Sequence, residues 1–407
     1  MKTLFILGAG VEQVYAIDLA KKKGIRTVVV DKNPKAPGAA LADEFYPVST
    51  RDIPAVLEFL KTYDKKIDGV MTIASDIPHV VSAAAEFLNV PHIPLENAKV
   101  CVEKFRMKEV LQKNGVRVPE FASIASLEDL KAFISKVGYP AVIKPVDNSG
   151  ARGVLCLTEG VDLQWAFDYA KQFSFSGDLE AEKFIDGPQV STEGIMHNDI
   201  FYCTGFADRN YSRLEITAPY MVEDGGDLPT VLPDADKKKV EIEFEKAVRA
   251  LGINWGPAKG DMVLGLDGNA YVIEIAARLS GGNFCYDKVP WSTGVDIVDV
   301  LIDMSVGNEV DAHRLLPTKN LASCQRYFFP KPGTITAITG IEEAEKLPHV
   351  KKVDIWLKAG EVVPPALNHP SRVGYVITLA DTLPEAISAA EQAIKTVKFI
   401  VREGATD

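Results

Sequence analysis

Short apolar runs alternate with amphipathic stretches from the start of the chain. Residues 4–7 form a strand-length run, Gly8-Ala9-Gly10 a turn, and 14–22 a helical pattern that stops at Gly24. The strand signal returns at 27–30, closed by Asp31, and at 69–74. Apolar runs separated by helices predict a doubly wound parallel sheet of the α/β class. Pro91 and Pro94 mark a boundary, after which a helical run over 98–114 ends at Gly115. Residues 126–137 read as an amphipathic helix opened by a Ser-x-x-Asp cap, Ser126 to Asp129. Strands at 141–144 and 154–157 flank a glycine-bearing loop. From about Leu321, short strands around 326–329, 350–357 and 374–379 precede a helix over 383–397, and 403–407 read as a frayed tail.

At 407 residues the chain exceeds a single core and predicts two to four domains. Its 47% apolar and 25% charged residues are those of an ordinary globular protein. A net charge of −11 argues against a nucleic-acid partner, but leaves room for a local cationic pocket. No apolar run reaches membrane-spanning length, and Met1-Lys2 leads into a strand rather than a signal peptide. The five cysteines are scattered without a close pair, which fits a reducing cytoplasm and neither a disulfide framework nor a zinc site.

Chemistry enters with the run from Tyr271 to Asn283. Its alternation sets Glu274, Ala276 and Arg278 on one strand face, with Ile275 and Ala277 on the other and Gly281-Gly282 following. Glu274 suits a divalent cation and Arg278 a bidentate grip on phosphate or carboxylate; an edge-strand ion pair is the plain alternative. Asp267-Gly268-Asn269 is a turn, so Asp261 on the preceding strand falls opposite Glu274. Two carboxylates there repel unless Mg²⁺ or a lysine lies between them.

The loop Lys144-Pro-Val-Asp-Asn-Ser-Gly-Ala-Arg-Gly153 is either a phosphate nest or a hairpin connection; it lacks the Walker order. Glu182-Lys183-Phe184-Ile185-Asp186-Gly187 reads as a strand end whose backbone can bond a purine, or as a simple turn. Gly8-x-Gly10 with Asp31 suggests a dinucleotide fingerprint, but Gln13 stands at the third glycine, so the glycines more readily serve a tight turn. The polar stretch 206–233, with Arg209, Arg213, Glu215, Glu223, Asp224 and Asp227, can read an amino acid's two charges or be solvated surface. Asp76 and His79 follow the 69–74 strand, at the end of the sheet where a cleft forms. His79 is either a proton acceptor for an amine or a structural histidine.

Taken along the chain, a lysine-bearing helix with Lys104, the Lys144 loop, Glu182-Lys-Phe-Ile185, the Asp261 strand and the Glu274-x-x-x-Arg278 strand together resemble the ATP-grasp superfamily over nearly the whole chain, and more finely its carboxylate–amine ligases, including L-amino-acid ligases. Gly281-Gly282-Asn283 and Ser292-Thr293-Gly294-Val295-Asp296 look like their region after the catalytic arginine, and Arg372-Val373-Gly374-Tyr375-Val376 resembles the end domain of biotin carboxylase-like members. The resemblance implies an N-terminal α/β domain (1–95), an ATP-grasp domain (96–320, lid about 120–185) and a small α+β domain (321–407). It implies ATP contacts from Lys104 and Lys144, a lid loop with Ser149, Gly150 and Gly153, and an adenine hinge of Glu182, Phe184 and Ile185 with Gln189 near the ribose. Asp261 and Glu274 would hold one or two Mg²⁺ ions, with Mn²⁺ as an alternative. Arg278, together with Lys144, would act on the transferring phosphoryl group, and Gly281 and Gly282 would offer backbone donors to substrate. Arg209, Arg213, Asp76 and His79 are the remaining substrate candidates.

Two positions depart from the family pattern: Ala276 replaces an amide metal ligand, and Gln189 replaces an acidic ribose contact. The implied reaction joins a carboxylate to an amine through an acyl phosphate, with an amino acid among the substrates, and related proteins suggest a homodimer. The alternative is a biotin-carboxylase-like or purine-pathway enzyme using bicarbonate, formate or a ribonucleotide.

Overall fold

The structure, a computed structural model, describes residues 1–402. The tail segment 403–407, and with it the end of the 321–407 unit, lies outside the described residues. Near the N-terminus the strands Glu44–Tyr46, Arg26–Val30, Thr3–Leu7 and Gly69–Met71 form one parallel sheet in that spatial order. Its strands are apolar on both faces because both are covered. Leu4, Ile6 and Val29 pack on one side with Ile17 and Leu301, whereas Phe5, Val28 and Val30 pack on the other with Val56, Leu60 and Val80. The short half-buried strand Glu44–Tyr46 has no apolar run to announce it. At the first turn, Gln13 Nε2 donates to Ile73 O (2.6 Å) and Ser75 Oγ (3.1 Å). Asp31 accepts the Ala9 N–H at 2.9 Å. Both polar residues of the incomplete fingerprint therefore brace the turn itself.

The expected helix over 98–114 is two helices, Leu95–Val100 and Lys104–Lys113. The break lets the second begin at Lys104, whose Nζ reaches a carboxylate on the central sheet at 3.0 Å. Phe121–Ile124, Leu179–Lys183, Ala141–Pro145 and Leu155–Leu157 form a separate antiparallel sheet in that order. The helices Leu127–Val137 and Leu163–Gln172 cover it with an apolar core of its own, including Ile124, Leu130, Phe133 and Phe167. Ser126 and Asp129 form the reciprocal cap of the first of these helices.

The largest element is an eight-stranded sheet. It runs from the hairpin Ala270–Ala276 and Gly256–Leu264 through Gln189–His197, Ile200–Asn210 and Gly225–Leu228 to Ala322–Tyr327, Gly374–Ala380 and Val350–Ile355. The last three strands come from beyond the expected break at 320, so the C-terminal segment extends the central sheet by hydrogen bonding. Only Val362–Val363, Gly333–Thr339 and Lys398–Arg402 form a small sheet apart. One face of the central sheet is sealed by Met107 and Leu111 and by Val240 and Phe244 of the helix Asp234–Ala250. The opposite face stays open to a cleft.

The N-terminal sheet meets the helix Ile297–Ser305 at a backbone-close contact: a Cβ on Gly69 would lie 2.3 Å from Ser305 O. Gly69→Ala must push sheet and helix apart, and we expect a loss of about 1–3 kcal/mol in denaturant-induced unfolding.

Candidate active site

A cavity of about 480 Å³ opens between the N-terminal sheet, the small antiparallel sheet and the central sheet. Strand alternation builds its floor. Glu274, Asp261, Ser191 and Ala207 are successive cross-strand partners, and all four border the cavity. A second row, Arg209, Gly226 and Gln325, continues on neighbouring strands. Val190 and Met262, next to these residues in sequence, point back into the core.

Asp261 pairs with Lys259 and with Arg209 Nη1 (3.2 Å) and accepts from Ser191 Oγ at 3.3 Å. Burial alone would raise its carboxyl, but Arg209 and Lys259 outweigh it and hold the group far below the usual carboxylate range. Glu274 meets Lys104 Nζ at 3.0 Å, and that ammonium also donates to Asn148 O at 3.0 Å. Ala276, where an amide ligand was expected, lies directly opposite Lys259. No cluster of three or more His, Cys, Asp or Glu side chains suited to a metal occurs among the described residues. Two carboxylate donors facing one cavity nevertheless fit Mg²⁺, which is commonly held by one or two carboxylates with phosphate and water completing the shell.

At the other end, Lys144 Nζ sits 2.8 Å from Glu182 and 3.3 Å from Glu180. Buried Lys108 pairs with the same two carboxylates. Burial opposes charge on each group. The mutual attraction wins, raising the Lys144 ammonium and lowering the Glu182 carboxyl from their ordinary values. Glu182 thus spends its side chain on lysines, and its backbone lies in a ladder with Phe121 and Val142. Chain outside the ladder begins at Phe184 and Ile185, which border the cavity together with Glu182 and Gln189. Ser149 and Gly150 also border it, and Gly150 O accepts the His369 N–H at 3.0 Å. Gly153 does not. A Cβ there would meet Phe173 and Pro145 at 2.9 Å, so this glycine permits close packing within the lid.

Arg278 is gripped by Asp76, whose Oδ1 accepts from Nε and meets Nη2, both at 2.7 Å. The Asp76 carboxyl, pushed up by burial, is drawn below its ordinary value chiefly by Arg278. The N-terminal sheet reaches this point because Ile73 pairs with Leu279 and the Ala74 N–H donates to Leu279 O at 3.1 Å. Gly281 and Gly282 border the cavity, but the Gly282 N–H is already bonded to Glu12 Oε1 at 3.1 Å, and Tyr286 holds Glu12 Oε2 at 2.9 Å.

Two other expectations are corrected. His79 does not border the cavity; it is half-buried, its Nδ1 has no partner among the described residues, and burial, with Lys99 and Arg51 nearby, lowers its pKa from the ordinary imidazole value. Arg213 stacks on Phe329 at 5.1 Å, outside the cavity. From the same polar stretch, Arg209 and Glu223 form a pair that borders the cavity. Glu215 is exposed, Asp224 bonds Ser212, and Asp227 bonds Arg326.

Residues that sequence reasoning missed include Lys108, Lys259, Glu12, Glu193, Lys288, His369 and Arg372. Lys108 carried a signal, one helical turn after Lys104, and Lys259 another, two strand positions before Asp261. Arg372 carried none as a cavity residue: it reaches the site by stacking on Tyr327 at 3.8 Å and donating to Glu223 O.

Residues 101–282 match the ATP-grasp domain family, 4–96 the PylC-like N-terminal domain, and 326–402 the L-amino acid ligase C-terminal domain 2. An L-arginine-specific L-amino acid ligase of Bacillus subtilis is 28% identical over 66% of this chain and 64% of its own length. An uncharacterized protein of Sinorhizobium fredii is 24% identical over 87% of this chain and 73% of its own. The crystal structure of an L-amino acid ligase from Bacillus licheniformis superposes with a TM-score of 0.83 at 23% identity, covering 99% of both chains. Fold and matched domains together define an ATP-grasp ligase. Within that superfamily the chain is similar to the carboxylate–amine ligases, carrying an L-amino acid ligase C-terminal domain 2 over 326–402 beside its ATP-grasp domain.

Glu193 lies beneath this site, wholly buried, with the Ser280 N–H donating to Oε1 at 2.6 Å and Oε2 unpartnered. Burial pushes its carboxyl up to about 7, although the Ser280 N–H, Arg278 and Lys259 oppose the rise. The folded state therefore holds a proton that the unfolded chain has released. That stability is complete below the ordinary carboxylate range and is lost as pH rises through about 7. Glu193→Gln should match the wild type in unfolding at pH 5 and exceed it at pH 8 by on the order of a few kcal/mol.

Proposed function

We propose that the chain uses ATP to activate a carboxylate as an acyl phosphate and then joins it to an amine, with an amino acid among the substrates, releasing ADP and phosphate. The observation that carries this reading is the Glu274–Asp261 pair across one hairpin, facing the same cavity as Lys104, Lys144 and Arg278. In this reading Asp261 and Glu274 hold the metal, and Lys104 and Lys144 take phosphate oxygens. When bound, Mg²⁺ supplies positive charge against the phosphates. The cleft's own ion pairs then change partners: Lys104 leaves Glu274 for the nucleotide without crossing an apolar barrier.

A substrate carboxylate oxygen attacks the γ-phosphorus, the β–γ phosphoanhydride bond breaks, and ADP departs. Arg278, held in orientation by Asp76, faces the negative charge that spreads over the transferring group. The amine then attacks the acyl carbon, loses a proton and expels phosphate. The Asn148–Gly150 part of the lid loop, already tied to His369 and Lys104, keeps water from the acyl phosphate.

Phosphate release from Mg·ATP, measured across a matrix of carboxylates, amino acids and amines, tests the reading. A response only when a carboxylate and an amine are both present is expected; no response to any pair overturns it, and a response to bicarbonate alone selects the carboxylase alternative. Glu274→Gln should abolish turnover, by 100-fold or more on the order expected for lost charge stabilisation, while leaving the melting temperature near that of the wild type.

A further inference from the structure

One buried cation in the cavity is left over by every pairing described so far. Lys288 ends the single π-helical turn Phe284–Lys288, a local irregularity common at functional sites. It is 4% exposed and borders the cavity, yet its ammonium has no carboxylate within ion-pair distance and no hydrogen bond among the described residues. Its ammonium lies 5.4 Å from the centre of the Phe284 ring, which offers only a weak cation–π contact. The surrounding carboxylates are engaged elsewhere. Glu223 is bonded by Arg209 at 2.9 and 2.7 Å, and Asp227 by Arg326 at 2.7 and 3.0 Å. Asp208 accepts from Thr230 and from the Val231 N–H. The side chain is buried while its ammonium faces the cavity, so a cation with no protein partner among the described residues stands open to an anionic ligand.

A second unmet donor lies beside it. Gln325 is 3% exposed and borders the same cavity, and its Nε2 has no partner. Gln325 is registered opposite Gly226, and a Cβ on Gly226 would come within 3.3 Å of Lys288 Nζ. The missing side chain leaves a notch, with the ammonium at its back and the carboxamide on the adjoining strand. The carboxamide can turn either end into the notch. The nucleotide has no call on this place, because its lysines, Lys104 and Lys144, stand on the lid side with Asn148 and Glu182.

We propose that Lys288 and Gln325, across the notch at Gly226, form a specificity subsite for a second carboxylate of the substrate pair, one that ATP does not activate. The inference rests on the ligase reading. An ammonium and a neutral amide donor match the two oxygens of one carboxylate. That carboxylate has two sources: the α-carboxylate of the amine-bearing amino acid, or an acidic side chain on either substrate.

Two sets of isosteric pairs distinguish the sources. Amino acids are compared with their α-carboxamides, and glutamate and aspartate with glutamine and asparagine. Each pair is read as kcat/KM for phosphate release and, independently of turnover, as the shift in melting temperature. In the wild type one set should show at least about a tenfold preference for the carboxylate, expressed mainly in KM. In Lys288→Met that preference should vanish, with the KM for Mg·ATP unchanged; Lys288→Arg should retain part of it. Gln325→Leu should weaken the same preference and serves if Lys288→Met does not fold. No preference in either set, in turnover or in melting, overturns the subsite, as does a preference that survives Lys288→Met. A melting preference without turnover by any pair would keep the subsite and reject the ligase reading.

Discussion

Ionisable groups taken from water cost several kcal/mol each unless opposite charges meet them in good geometry, and this cleft is lined with them. Lys108, Lys144, Glu180 and Glu182 form one closed cluster. Arg209, Lys259, Asp261 and Glu223 form a second, and Arg278 with Asp76 a third. These clusters neutralise most of the charges around the cavity from within. Elements far apart in sequence must arrive together because each brings the counter-charge of another.

The same pairing links the fold to the chemistry. The N-terminal sheet contributes Asp76 to Arg278 and Glu12 to the Gly282 backbone, so docking of this sheet sets both the guanidinium and the glycine turn. The Gly69 contact that seats the sheet is therefore a site determinant at a distance. The C-terminal segment acts similarly. Its strands lengthen the central sheet, placing Gln325 and Tyr327 on the cavity floor and carrying His369 to the lid loop. Because these pairs are ionic, the nucleotide and cation of the proposed reading would exchange for them within a polar environment. Lys288 falls outside the scheme, and its lack of a partner marks the part of the cleft where the second substrate is proposed to complete the charge balance.

The hairpin of Asp261, Glu274 and Arg278 could be read from the chain because strand alternation is local: two residues along a strand share a face, and a short Asp-Gly-Asn turn sets which residues oppose. The register confirms that Asp261 faces Glu274, whereas Arg278 lies two residues beyond the strand's end at Ala276; the cap at Ser126 follows from four adjacent positions. His79, Arg213 and Gly153 show where such reasoning ends. Each lies near true cavity residues in sequence, but helix phase, an aromatic neighbour or close packing turns it elsewhere. Glu182 borders the cavity as anticipated, but its partner Lys108 comes from another element and changes what its side chain can do.

By itself the sequence determined the alternation of α/β elements and the facing of Asp261 and Glu274 across their hairpin, since each depends on periodicity over a few residues, and the order of its motifs carried the resemblance to the ATP-grasp superfamily. The tertiary structure alone decided which charges neutralise which, that the C-terminal strands join the central sheet, and that Lys288 remains unpaired among the described residues. Those outcomes depend on distances between segments separated by tens to hundreds of residues. Burial sets their energies, and burial exists only once the segments have packed.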